Sequence, residues 1–210
     1  MIISLTGFMG CGKSSVGRKL STLLSCPYAD LDSIIEEAQG KSVPEIFASD
    51  GEAGFRMLEL KHLSLRLTGD EAVSPQRDSD CKITEVLSLG GGTVMTPECA
   101  EIVHTQTLCI YLRATVETLV SHLEGETEGR PMLAPANGGT ISPSEALRRR
   151  ICELMSLRSA TYEKTAHIII DTDGKSIDVI ADEILSSPRQ IISSRSCISL
   201  MRSCVFAAPL

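Results

Sequence analysis

GFMGCGKS, residues 7–14, follows the apolar run Ile2, Ile3 and Leu5 and reads as G-x-x-x-x-G-K-S, with Gly7, Gly12, Lys13 and Ser14 at the fixed positions. The spacing has a mechanical meaning. A strand delivers the chain into a tight turn, where small residues let successive backbone N–H groups converge on a phosphate. The helix expected from Lys13 to about residue 25 adds its unpaired first N–H groups and the positive end of its dipole. Lys13 can reach the β- and γ-phosphates, and the Ser14 hydroxyl can hold Mg²⁺. A glycine-rich turn that merely joins strand to helix is the plain alternative. The amphipathic helix that follows, at the head of an α/β pattern, favours a nucleotide-binding P-loop instead. Gly10, Cys11, Gly12, Lys13, Ser14 and Ser15 are then the expected ATP-binding residues. Cys11 sits where helix-terminal electrostatics could lower its pKa, or it is simply a small residue that fits the loop.

Outward from this loop, strands and helices alternate. Residues 26–32 (CPYADLD) suggest a short strand, 33–39 a helix stopped by Gly40, and Ser42 with Glu45 a capping box for another short helix. Asp50 and Gly51 mark a turn before a longer helix over 52–67. A polar loop over 69–82 leads to a buried strand at 85–89, which runs into Gly90, Gly91 and Gly92. Pro97 opens the next helix, 107–112 is a strand and 115–123 a helix. Residues 124–141, rich in Gly, Pro and Glu, lack periodicity and read as a mobile segment. Ser142, Pro143 and Glu145 then open a long helix to Tyr162, followed by a strand at 167–170 and a helix at 176–185. Such alternation predicts a parallel sheet covered on both faces, with ligands at the carboxyl ends of its strands. The tail over 186–210 has no evident place in that pattern and is expected to be disordered and dispensable.

Composition bounds the function. The 210 residues fit one domain, at 1–185, and the net charge of −7 argues against nucleic acid or an anionic membrane as partner. No apolar run approaches the length of a membrane-spanning helix. The eight cysteines form no C-x-x-C pair, and the chain begins on a strand without a signal-peptide pattern. They are expected to be reduced thiols of a cytoplasmic protein.

Several residues stand out by position. Asp30 and Asp32 alternate on a strand end, so both carboxylates can face the phosphate loop, unless Asp32 belongs only to the start of the next helix. Arg56 shares a helical stripe with Leu60, Leu63 and Leu67, where a guanidinium is costly unless an anion meets it. Glu59 and Glu52 can orient it, or form exposed surface pairs with it. Arg158 falls inside the face made by Leu147, Ile151, Leu154 and Tyr162, which demands a carboxylate or phosphate. By contrast, Arg148, Arg149 and Arg150 run around that helix, and at least one is surface. The three glycines at 90–92 either admit a ligand to the backbone or form a plain turn. Arg130, in the segment at 124–141, can swing onto a γ-phosphate as a site closes.

GFMGCGKSSVGRKL, DLD, GEAGFRMLE, LSLGGGTV, RPML and LRSATY, in this order and spacing, resemble the shikimate kinase family over residues 1–185. The resemblance implies a P-loop NTPase fold of the nucleoside-monophosphate-kinase type, with a five-stranded parallel sheet flanked by helices. It implies transfer of the γ-phosphate of ATP to the 3-hydroxyl of shikimate, by a protein expected to be monomeric. Residue by residue, it makes Asp32 the candidate base and places Asp30 and Ser14 near Mg²⁺. Arg56 and Arg158 would hold the shikimate carboxylate, with Glu59 orienting Arg56. Gly90, Gly91 and Gly92 would line the substrate pocket, and Arg130 would be the lid arginine. The adenine side departs from the family: HLEGETEG lacks the usual arginine, and DTDGKSI offers Lys175 as the remaining ATP contact. A gluconate or nucleotide kinase of the same fold, or a kinase-like protein without catalysis, are the rival readings. A neutral polyol would not need two inward arginines, and a nucleotide acceptor would want more aromatic side chains.

Overall fold

The computed structural model describes residues 1–68, 83–124 and 142–187. Five strands, β1 (Ile2–Thr6), β2 (Tyr28–Asp30), β3 (Glu85–Ser88), β4 (Thr107–Arg113) and β5 (Ile168–Asp171), form one parallel sheet in the order β2-β3-β1-β4-β5. Parallel neighbours need crossovers, and helices supply them: α1 (Lys13–Leu24), α2 (Leu31–Gln39), α3 (Val43–Thr68), α4 (Pro97–Gln106), α5 (Val116–Leu123), α6 (Pro143–Thr165) and α7 (Ile177–Ser186).

Covering both faces removes the need for polar alternation along the central strands. Ile3 to Thr6 in β1 and Thr107 to Leu112 in β4 are buried throughout. One core gathers Leu5, Val16, Leu20, Leu112 and Ile180. The other gathers Ile35, Leu63, Val103, Tyr111 and Tyr162. Each fully buried aliphatic side chain contributes about 1.5–3 kcal/mol, and the shortage of aromatics is met by number rather than size.

Most sequence-derived boundaries hold to within two or three residues. The expected break between two helices at Asp50 and Gly51 is a kink inside α3, where Gly51 takes φ 69° and ψ −177°. Ser142 caps α6 by accepting the Glu145 N–H at 3.2 Å, and α6 runs on to Thr165. One expectation is corrected. β2 ends at Asp30, so Asp30 and Asp32 do not alternate on a strand. Asp30 is the N-cap of α2 and accepts the Asp32 N–H at 3.1 Å, which puts Asp32 in the first helical turn. A cap, not a pleat, sets the two carboxylates side by side.

The fold places three loops together. The P-loop leaves the carboxyl end of β1, Asp30 and Asp32 lie at that of β2, and the glycines at 90–92 follow β3, the strand between them. The segments at 69–82, 125–141 (with Arg130) and 188–210 lie outside the described residues.

Candidate active site

The loop between β1 and α1 owes its shape to glycine. Gly10 and Gly12 take φ 81° and 94°, a region that β-carbons disfavour, and Gly12 thereby becomes the N-cap of α1. Lys13 arches back over the loop, its Nζ donating to the carbonyls of Gly7 at 2.9 Å and Phe8 at 3.0 Å. Cys11 is buried, and burial pushes its thiol up from the usual range, outweighing the lowering effect of Lys13. It is the small packing residue, not a reactive thiolate. Ser14 sits in the first turn of α1, and its Oγ lies 3.4 Å from Asp30 Oδ2.

A cavity of about 570 Å³ opens from this loop toward α2, α3 and α6. Lys13, Ser14, Asp30, Asp32, Arg56 and Arg158 all line it, together with Glu59 and the glycines at 90–92. Residues spread over the whole chain thus meet at one place. Lys175 does not line it. It pairs with Glu183 of α7 at 2.5 Å, just beyond β5.

Asp32 is the most perturbed carboxyl among the described residues. Burial, then Glu59 and Asp30, push it up to about 7, against the pull of Lys13 and Arg56. Its Oδ1 is buried and has no hydrogen-bond partner among the described residues. Both Asp32 Oδ1 and Glu59 Oε1 crowd Gly90, at 2.7 and 2.8 Å from where a β-carbon would sit. A buried carboxylate with an unused oxygen, facing a cavity, is prepared to accept a proton from something outside the protein.

The two arginines differ. Arg56 is held by Glu59, which is fully buried, and by Glu52 at 3.1 Å; Thr93 Oγ1 donates to the other oxygen of Glu59 at 2.5 Å. Glu59 therefore fixes the guanidinium from behind. Arg158, only 5% exposed, has no carboxylate within ion-pair distance among the described residues. Its Nη1 donates to the Gly91 carbonyl at 3.3 Å, and its head lies 5.9 Å from the centre of the Phe8 ring. Such a buried cation is costly without an anion.

The glycines at 90–92 act through close approach. A β-carbon on Gly92 would collide with the Arg56 guanidinium. Gly92→Ala should therefore displace Arg56 and raise KM for a carboxylate acceptor roughly tenfold or more, with little effect on KM for nucleotide. Equal changes in the two constants, from initial-rate kinetics, would contradict this role.

Four contributors escaped the sequence reading. Tyr162 donates from its buried hydroxyl to the Gly91 carbonyl, Thr93 braces Glu59, and Phe47 and Phe55 (ring centres 4.9 Å apart) form an apolar wall of the cavity. The clue for the wall was available: a chain with four Phe places two of them eight residues apart beside Arg56.

Comparison with known proteins agrees with this arrangement. The family model described as shikimate kinase matches residues 9–188. Shikimate kinases of Chlorobaculum parvum and Geobacter metallireducens are 38% and 40% identical over 183 residues, covering 87% of this chain and 89% and 88% of theirs. The solved shikimate kinase of Acinetobacter baumannii, in complex with shikimate, aligns at TM-score 0.72 and 30% identity over 92% of this chain and 94% of its own. That of Aquifex aeolicus aligns at TM-score 0.67 and 27% identity, covering 92% of this chain and all of its own. The family model covers most of the chain and the relatives exceed a third identity over nearly their whole length, so this chain belongs to the shikimate kinase family.

Proposed function

We propose that this protein transfers the γ-phosphoryl group of ATP to the 3-hydroxyl of shikimate. The observation that carries the proposal is Arg158: a buried guanidinium, lacking a carboxylate partner among the described residues, in the cavity that also holds Lys13 and Asp32. An acidic, polyhydroxylated acceptor answers all three groups at once. Its carboxylate pairs with Arg158 and with Arg56, which Glu59 keeps in place. Its hydroxyls take hydrogen bonds from the amides of Gly90, Gly91 and Gly92, which have no acceptor among the described residues. Asp32 accepts the proton of the attacking hydroxyl.

On the nucleotide side, Gly10, Gly12, Ser14 and Ser15 offer backbone N–H groups around the start of α1; the Cys11 N–H, which donates to the Phe8 carbonyl at 3.3 Å, and Lys13, which donates to the Gly7 and Phe8 carbonyls, turn to the phosphates. Arg130, outside the described residues, is proposed as the cation that meets the γ-phosphate, and Lys175 as a secondary contact to ATP. The cavity lining carries three cations (Lys13, Arg56, Arg158) and four carboxyl groups (Asp30, Asp32, Glu36, Glu59). A polyphosphate entering it thus needs further positive charge. Ser14 and Asp30 fit Mg²⁺: one hydroxyl and one carboxylate beside the phosphate loop suit an ion that keeps waters and borrows phosphate oxygens. Mg²⁺ held there would neutralise phosphate charge during transfer. Among the described residues, no helix is long and apolar enough to cross a membrane and the cysteines are free. The proposed reading also includes a cytoplasmic location, a monomeric state and a kinase domain at 1–185.

A coupled ADP-release assay tests the proposal, with shikimate, quinate, gluconate and nucleoside monophosphates offered in parallel. Shikimate should be strongly preferred. Equal or better turnover of gluconate or a nucleotide would overturn it.

Asp32 also makes a stability prediction for the ligand-free, Mg²⁺-free protein. Its folded-state pKa of about 7 lies above the value of 3.8 expected for an ordinary aspartate. The folded state then binds more protons than the unfolded state between those values, so this group lowers stability as pH rises from about 4 to about 7. Asp32→Asn removes the buried charge. The variant should melt several degrees above the parent at pH 8, on the order of 2 kcal/mol, and the gap should close toward pH 4. A variant less stable than the parent at pH 8 would show that Asp32 is not held against its own ionisation.

A further inference from the structure

We propose that Tyr28 is a positioning residue for the Mg²⁺ site, holding the Asp30 carboxylate in the orientation that the ion requires. This rests on the reading of Ser14 and Asp30 given above. Tyr28 opens β2, two residues before Asp30, and its hydroxyl lies 3.1 Å from Asp30 Oδ2. The Ser14 hydroxyl donates to the same oxygen at 3.4 Å, while the Asp32 N–H occupies Oδ1. Three donors therefore converge on one carboxylate, which has about four lone-pair positions in all. One remains for the ion or a water bound to it.

The ring is built into the fold to deliver that hydroxyl. A β-carbon on Gly17 would lie 2.5 Å from Tyr28 Cε2, so α1 can pack over the ring only because residue 17 lacks one. Arg18 covers the ring from the solvent side, its guanidinium carbon 4.9 Å from the centroid. Gly17 and Arg18, consecutive residues of α1, both pack against the ring and hold the phenol beside Asp30. The phenol does not line the cavity itself, and acts through Asp30 and through the Ser14 and Ser88 hydroxyls that its own hydroxyl also meets.

Ser14 can give its oxygen lone pair to a cation while its O–H still donates to Asp30. Tyr28, donating to the same oxygen, then helps to set the carboxylate plane. Without the phenol, Oδ2 keeps only the long bond to Ser14, and the carboxylate is free to turn about its last torsion.

Tyr28→Phe keeps the ring, its packing on Gly17 and its contact with Arg18, and deletes one hydroxyl. ADP binding to the full chain is measured by calorimetry across an Mg²⁺ series, without shikimate. The half-saturating Mg²⁺ concentration should rise roughly tenfold, the size of one hydrogen bond to a charged group, while ADP affinity without Mg²⁺ should not move. A ring with a merely structural role would change neither. The protein has no Trp and three Tyr, of which Tyr111 and Tyr162 are buried in the core. Mg²⁺ with ADP should therefore change the tyrosine emission of the parent, and that change should vanish in Tyr28→Phe. Equal Mg²⁺ dependence in both proteins, or an emission change that survives the substitution, overturns the role of Tyr28 and leaves the site itself standing. ADP binding that ignores Mg²⁺ in the parent overturns both.

Discussion

Lys13→Ala should lower turnover roughly a thousandfold or more while the protein stays folded. The cavity lining already carries one more carboxyl group than cations, and this substitution removes the cation nearest the phosphate loop. Phosphoryl transfer leaves little covalent work for the protein, so charge stabilisation and positioning supply most of the rate. Lys13 contributes little to folding by comparison. It is partly exposed, outside both hydrophobic cores, and its own bonds go to two loop carbonyls. The melting temperature should shift by no more than a few degrees. Lys13→Arg should not restore activity, because a planar fork does not fit where a compact ammonium bridges the carbonyls of Gly7 and Phe8. Near-parental turnover in the folded alanine variant would remove the phosphate-binding role.

Arg158→Ala should cost about 2–5 kcal/mol in kcat/KM for shikimate, a loss of roughly thirtyfold to several thousandfold. The range is wide because two effects oppose. The variant loses a charge-assisted pair with the ligand carboxylate, and it also relieves a guanidinium that is costly to bury in the free protein. The Gly91 carbonyl keeps Tyr162 as donor, so the backbone at 90–92 should hold its shape. KM for ATP should hardly change. Arg158→Lys should recover only part of the loss, since a single ammonium cannot make the paired contact. A loss shared equally between shikimate and ATP would mean that Arg158 supports the fold of the site, not its specificity.

Much of this was legible in the chain. The P-loop spacing, the inward phase of Arg56 and Arg158 and the run of glycines are local patterns, and local patterns survive folding. The buried set of α6 is the predicted stripe of Leu147, Ile151, Leu154, Arg158 and Tyr162, with Thr165 added. The relation of Asp30 to Asp32 was misjudged because alternation on a strand and an N-cap turn both bring residues i and i+2 together. Only the strand's end, at Asp30, decides between them. What Arg158 touches was not legible, since Gly91 is 67 residues away and the contact is to a carbonyl that no side-chain pattern encodes. The Tyr28 bond to Asp30 was hidden for another reason. It depends on the missing β-carbon of Gly17, on a different element, which looked in sequence like an ordinary small residue in a helix.

The central claim is that the cavity reads a carboxylate beside the phosphoryl-transfer machinery. The most direct measurement compares kcat/KM of the parent protein for shikimate and for its methyl ester, which keeps the ring and hydroxyls and removes the charge. The acid should be preferred by about a hundredfold or more, and Arg158→Ala should shrink that preference to a few-fold. If the parent phosphorylated the ester as well as the acid, the arginines would not be reading a carboxylate, and shikimate would not be the acceptor this site is built for.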